Sequence, residues 1–301
     1  MKYEKSFCGT FQVEEIDSAI DLDGVIFGVP YEDKSPYYPK GTSQAPRTIR
    51  ESSQFFSGQG LSQKSIHNFH ILDIGNIPIT NDYEEIMDEQ EKRVSEILEK
   101  KARVIVLGGD HSIALGTTKG ISQFNKKGID TLVWLDAHLD LMNNYPRGEP
   151  FTRATVLQRV IDCDYFLMEK IFFIGIRGHN FGKEEIKKLS EYNMNSLSAV
   201  ECRKRRLLDE YIAKITAKTN GIYLSLDIDV LDPAFAPGVS VPEPGGITSR
   251  ELFYIIQKLG EKIKCIEIVE VNPKRDLNNI SSHIAARTIF EYIDSWKCSE
   301  D

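Results

Sequence analysis

Three short stretches gather side chains that bind metals: Gly108-Gly109-Asp110-His111-Ser112, Asp136-Ala137-His138-Leu139-Asp140 and Asp227-Ile228-Asp229-Val230-Leu231-Asp232-Pro233. Alternate side chains of an extended segment share a face, so Asp136, His138 and Asp140 can converge, as can Asp227 and Asp229. Adding His111 gives four carboxylates and two imidazoles. Carboxylates clustered in a partly dry pocket repel one another, and two divalent cations would neutralise them. Oxygen-rich ligation with some imidazole suits Mn2+, with Zn2+, Co2+ or Fe2+ open by ligand type. Taken singly, a His is more often structural, and an Asp at a strand end is usually a turn former or N-cap. Asp110 and Asp232 fit that ordinary reading. Three ligands at strand spacing, joined by a second such element, do not.

Each stretch follows a short apolar run: Val104 to Leu107, Thr131 to Leu135 and Ile222 to Leu226. Similar runs lie at Val25 to Val29, Ile71 to Ile74, Ile171 to Ile176 and Ile266 to Val271, and continuous runs of this kind predict strands buried on both faces. Helical spacing appears between them, at Tyr83 to Lys101 and at Arg250 to Leu259. This alternation predicts βαβ units, a mostly parallel sheet with helices on its faces, and a single domain spanning 1–301. In such sheets ligands bind beyond the carboxyl ends of the strands, the edge to which the three stretches belong. The Gly and Pro clusters at 36–46, 144–150 and 233–246 read as long, functional loops.

Composition limits the partners. A formal charge of -8 argues against nucleic acid, and the run Arg203 to Arg206, flanked by Glu201, Asp209 and Glu210, reads as a solvated helix face. No apolar run is long enough to cross a bilayer, and the first ten residues do not resemble a secretory signal. Cys8, Cys163, Cys202, Cys265 and Cys298 are scattered without CxxC spacing, which suits free thiols in a reducing cytosol.

In order and spacing, GGDHS, DAHLD and SLDIDVLDP resemble the ureohydrolase family of arginases, agmatinases and related guanidino-acid hydrolases. The resemblance extends over nearly the whole chain, through Gly28-Val29-Pro30, Gly41-Thr42, Ala45-Pro46, Ile49-Arg50, Gly175-Ile176-Arg177, Pro244-Gly245-Gly246 and Glu267 to Pro273. It implies a three-layer α/β/α fold and a two-manganese cluster. One ion would be held by His111, Asp136, Asp140 and Asp227, the other by His138, Asp136, Asp227 and Asp229. Asp136 and Asp227 would bridge. It further implies that Glu270 receives the substrate guanidinium, whose planar fork a carboxylate accepts in two bonds, and that Asp140 relays a proton to the leaving amine. Trimers or hexamers are common in the family.

One position departs from the pattern. Where agmatinase-type members carry a histidine, Pro150-Phe151-Thr152-Arg153-Ala154-Thr155 places Arg153, which stays protonated and cannot shuttle protons. Rate, substrate or activity itself is thereby open, and a metal-binding pseudoenzyme or regulatory subunit is the reading from another class. His179, after Gly175-Ile176-Arg177-Gly178, is the candidate replacement for relay or substrate contact. Arg177 is equally consistent with a structural cation, and Tyr37-Tyr38 reads as packing. The loop 141–150 lacks the Ser- and Thr-rich stretch with which arginases grip an α-amino acid. The expected substrate is therefore a small cationic guanidine, agmatine first, with arginine, guanidinobutyrate and guanidinopropionate as alternatives.

Overall fold

The computed structural model describes residues 6–12, 21–58, 60, 66–124, 128–178 and 182–296. Its strands are β1 (Phe11–Gln12), β2 (Gly24–Val29), β3 (Ile71–Asn76), β4 (Arg103–Gly108), β5 (Thr131–Leu135), β6 (Ile171–Ile174), β7 (Asn195–Leu197), β8 (Ile222–Asp227) and β9 (Ile263–Val269). All pair in parallel, in one nine-stranded sheet of order β1-β3-β2-β4-β9-β8-β5-β6-β7.

The helices are α1 (Ala45–Ser53), α2 (Tyr83–Glu99), α3 (Ala114–Phe124), α4 (Val156–Asp162), α5 (Lys183–Glu191), α6 (Ala199–Cys202), α7 (Arg205–Thr216), α8 (Ser249–Leu259) and α9 (Ile280–Asp294). Both faces of the sheet are covered, because successive strand residues point to opposite sides. Ile105 and Leu107 of β4 pack with Ile49, Ile212, Ile255 and Ile289 from α1, α7, α8 and α9. Val104 and Val106 pack with Ile97, Ile121 and Leu157 from α2, α3 and α4. This is the three-layer α/β/α arrangement that the family resemblance implies, built on the helix-covered parallel sheet that the apolar runs predict. No helix among the described residues is long and apolar enough to cross a membrane.

Local chemistry explains the element ends. Asp82 caps α2 by accepting from the Glu84 N–H at 2.8 Å. Thr248 and Glu251 form a capping box at the start of α8, with the Thr248 N–H 2.7 Å from the Glu251 carboxylate. The helix expected over Tyr83 to Lys101 stops at Glu99, since Lys101 takes a left-handed φ of 60°. The expected strand Ile171 to Ile176 ends at Ile174 because Gly175 turns at φ 106°, and Ile266 to Val271 is broken after Val269 by Glu270 at φ 64°.

Candidate metal centre

Strands β4, β9, β8 and β5 are consecutive neighbours in the sheet, and their carboxyl ends are level. Leu107 pairs with Ile268, Asp227 with Val269, and Leu135 with Leu226. His111, Glu270, Asp227 and Asp136 therefore leave the sheet side by side. Gly109 makes this crowding feasible: a Cβ there would lie 1.8 Å from the Tyr31 carbonyl oxygen, while its own carbonyl accepts from the Glu270 N–H at 2.8 Å. Asp140 and Glu270 both sit at positive φ, 53° and 64°. Such backbones cost on the order of 1–3 kcal/mol each and tend to cluster at functional sites.

The six residues singled out by spacing converge. His111 Nδ1 lies 3.0, 3.3 and 3.4 Å from carboxylate oxygens of Asp136, Asp140 and Asp227. His138 Nδ1 lies 3.0 Å from Asp229 and 3.6 Å from Asp136. Two groups of potential ligands result, His111 with Asp136 and Asp140, and Asp136 with His138 and Asp229, sharing Asp136.

The surroundings of His111 fix which nitrogen faces the carboxylates. Its Nε2 is 2.8 Å from Ser225 Oγ, and Ser225 donates its own proton to Glu267 at 2.7 Å. Nε2 must then carry the hydrogen, leaving Nδ1 with a lone pair aimed at three anionic oxygens. Nδ1 is buried and finds no hydrogen-bond partner among the described residues. A lone pair facing carboxylates is repulsive unless a cation lies between them, so the donor set fits a divalent metal. Trp134 stacks on the ring at 4.1 Å and donates from Nε1 to Asp136 at 3.1 Å, holding both side chains.

Electrostatics makes the same demand. With protons as the only cations, burial and then the charge of Asp136 push Asp140 up to about 7. Burial, with Asp229 and Asp136 adding to it, raises Asp227 well above the carboxylate range. Burial would lower His138, yet Asp229 and Asp136 carry it up to about 12. The cluster thus cannot hold its full anionic charge without positive ions.

Arg153 is buried beside this cluster. Its Nε contacts Asp33 at 3.1 Å, NH1 contacts Glu270 at 2.7 Å and NH2 contacts Asp110 at 3.1 Å, while its guanidinium lies 4.7 Å from the centre of the Tyr38 ring. The other Glu270 oxygen accepts the His111 backbone N–H at 2.9 Å. Burial and the neighbouring Asp110 raise Glu270 to about 8, against the opposing pull of Arg153. Arg153 therefore holds the carboxylate expected to receive the substrate.

Arg177 is a structural cation. Its guanidinium donates to the backbone carbonyls of Gly175, Asp229, Val230, Leu231 and Glu243 at 2.6 to 3.3 Å. It pins the turn carrying Asp229 to the loop that follows. Tyr38 packs against Arg153 and also lines a cavity over the cluster. That cavity, of about 380 Å3, is lined by His138, Asp140, Asp229, Glu270, Arg153 and Glu185, with Tyr38, Met142, Tyr145 and Val241 beside them. His179 lies outside the described residues. Asp110 caps a turn, accepting from the Ser112 N–H at 2.9 Å, and also pairs with Arg153, so its ordinary reading is incomplete. Asp33 and Glu185 carry no motif, and Ser225 and Glu267 lie inside motif stretches without being singled out; only the fold brings the four to the site.

The model of the arginase family matches residues 22–294. The structure of the agmatine ureohydrolase of Thermoplasma volcanium is similar with a TM-score of 0.84 and 29% identity, covering 97% of this chain and 94% of that one. Arginase 1, mitochondrial, of Arabidopsis thaliana is 30% identical over 88% of this chain and 79% of its own length. The guanidinobutyrase of Pseudomonas aeruginosa is 30% identical over 90% of this chain and 86% of its own length.

Proposed function

The chain belongs to the arginase family, and on that premise we propose that it hydrolyses agmatine to urea and a diamine. The observation that carries this choice is the charge of the cavity. Among its described lining residues Asp140, Glu185, Asp229 and Glu270 are acidic, and the one arginine, Arg153, is committed to three carboxylates. A substrate carboxylate, as in arginine or guanidinobutyrate, would enter without a free cation to meet it, at the cost of burying an unpaired charge. A guanidine with an amine at its other end finds two acidic side chains outside the metal-ligand set, Glu185 and Glu270. The names of the relatives differ in substrate, so they support the chemistry and leave this selection to the cavity.

His111, Asp136, Asp140, Asp227, His138 and Asp229 would hold two divalent cations, Mn2+ by ligand type. When bound, such ions act as Lewis acids and lower the pKa of water toward neutrality. The residues do the positioning. Ser225 and Glu267 fix the His111 tautomer, and Arg177 fixes the turn of Asp229. Each Glu270 oxygen keeps a lone pair beyond its contact with Arg153 or His111, so the carboxylate can still accept N–H groups from a guanidinium in the cavity. Asp140, at the mouth of the ligand cluster and lining the cavity, can carry a proton to the departing amine.

Urea release with added Mn2+ tests the proposal, with agmatine, arginine, guanidinobutyrate and guanidinopropionate compared. Agmatine should lead in kcat/KM, and a clear preference for any guanidino acid would overturn the selection. The Arg153–Glu270 contact of 2.7 Å favours one second reading, a metal-loaded pseudoenzyme, because it occupies the carboxylate expected to receive the substrate. Two ions per chain with no urea from any of the four would establish that reading.

A further inference from the structure

Glu185 is almost fully buried, lines the cavity, and has no ion pair among the described residues. Its two oxygens accept single backbone N–H groups, from Leu141 at 3.2 Å and from Gly182 at 3.0 Å. The lysine one turn along α5, Lys188, is committed elsewhere: to Glu184 at 3.1 Å, to the Leu141 carbonyl at 2.8 Å and to Asn143 at 2.7 Å. A carboxylate accepts about four hydrogen bonds, so Glu185 retains capacity on both oxygens. At the third position of α5 Glu185 reaches back to the Gly182 N–H as in a capping box, a role that an uncharged glutamine fills as well. That role does not need a buried negative charge, which is costly without a partner.

We infer that Glu185 recognises a second cationic centre of the substrate, an alkylammonium at the end of the molecule remote from the carbon under attack. The inference rests on the reading of the cavity as a guanidine site. Glu270 receives the guanidinium, and Glu185, which lines the same cavity, meets the other charged end. The aliphatic and aromatic side chains of Met142 and Tyr145, which also line the cavity, suit an alkyl chain between them. Glu185 is then the residue that separates a diamine-type guanidine from a simple alkylguanidine, by a charge-assisted hydrogen bond.

The test uses the full chain supplemented with Mn2+ and has a binding arm and a turnover arm. In calorimetry with 1,4-diaminobutane, Glu185→Gln should bind about tenfold or more weakly than the parent, with its thermal unfolding little changed. In urea release, the parent should favour agmatine over butylguanidine by at least about tenfold, a comparison that needs no variant and survives if Glu185→Gln folds poorly. Equal affinity of parent and variant for the diamine, or equal use of agmatine and butylguanidine by the parent, would overturn the role of Glu185. If no guanidine yields urea while diamine binding still depends on Glu185, the proposed reaction fails and the recognition site stands.

Discussion

Replacing Arg153 by alanine isolates what the departure from the family pattern does. Its guanidinium is held by Asp33, Asp110 and Glu270 at 2.7 to 3.1 Å, all buried. At an effective dielectric of about 20, a charge pair at ~4 Å is worth ~4 kcal/mol before desolvation. Removing one partner of a buried ion pair typically costs about 3–5 kcal/mol, because the remaining charge stays unpaired. Here three carboxylates lose their cation, and although Asp110 and Glu270, both raised above the usual carboxylate range, can take up protons, Arg153→Ala should lie within that range. With about 2–4 °C per kcal/mol for a chain of this size, calorimetry should show Tm falling by roughly 10 °C. Adding Asp33→Asn should recover part of the loss, since it removes one of the stranded charges, and metal content should be unchanged because Arg153 is not a ligand. A Tm within about 2 °C of the parent would refute the argument, and so would a double variant less stable than the sum of the single changes predicts.

Asp136→Ala and Asp227→Ala should each lose both metal ions, which elemental analysis reads directly; two ions retained in either variant would contradict the bridging assignment. Glu270→Gln should keep its metals and lose about a hundredfold or more in turnover, as expected when a charge-assisted positioning contact is removed; parent-like kinetics would end that role. The metal-free protein should lose stability as pH rises. Asp140 at about 7 and Glu270 at about 8 are raised above their unfolded values, so they favour folding below about pH 4 and progressively lose that contribution as pH climbs through their folded values. Mn2+ relieves the same charges, so its addition should raise Tm more at pH 8 than at pH 5.5, and an equal gain at both would count against the cluster's electrostatics.

The sheet and the convergence of the six candidate ligands were legible because they depend on local features. Apolar runs such as Val104 to Leu107 and Thr131 to Leu135 announce buried strands, and the residues just past them inherit the strand-end position. Periodicity could not show that β9 lies between β4 and β8, the adjacency that brings Glu270 to His111; only the family resemblance pointed there. Strand limits were overrun at Gly175 and Glu270, where a left-handed backbone stops the ladder without a change in hydrophobicity. Arg153 was visible as an anomaly, but its partners were not. Asp33 is 120 positions away, and nothing around it marks a buried charge. Glu267 reads as a residue of a buried strand, and its contacts with Tyr223 and Ser225 at 2.5 and 2.7 Å emerge only once β8 and β9 are paired. Glu185 sits in an ordinary charged helix start, and its burial depends on α5 packing over Leu141.

The most direct measurement is the product balance of the Mn2+-supplemented protein acting on agmatine. The account predicts urea and 1,4-diaminobutane released in equal amounts, with activity lost on chelation and restored by Mn2+. Two metal ions bound per chain, with agmatine recovered intact, would contradict it.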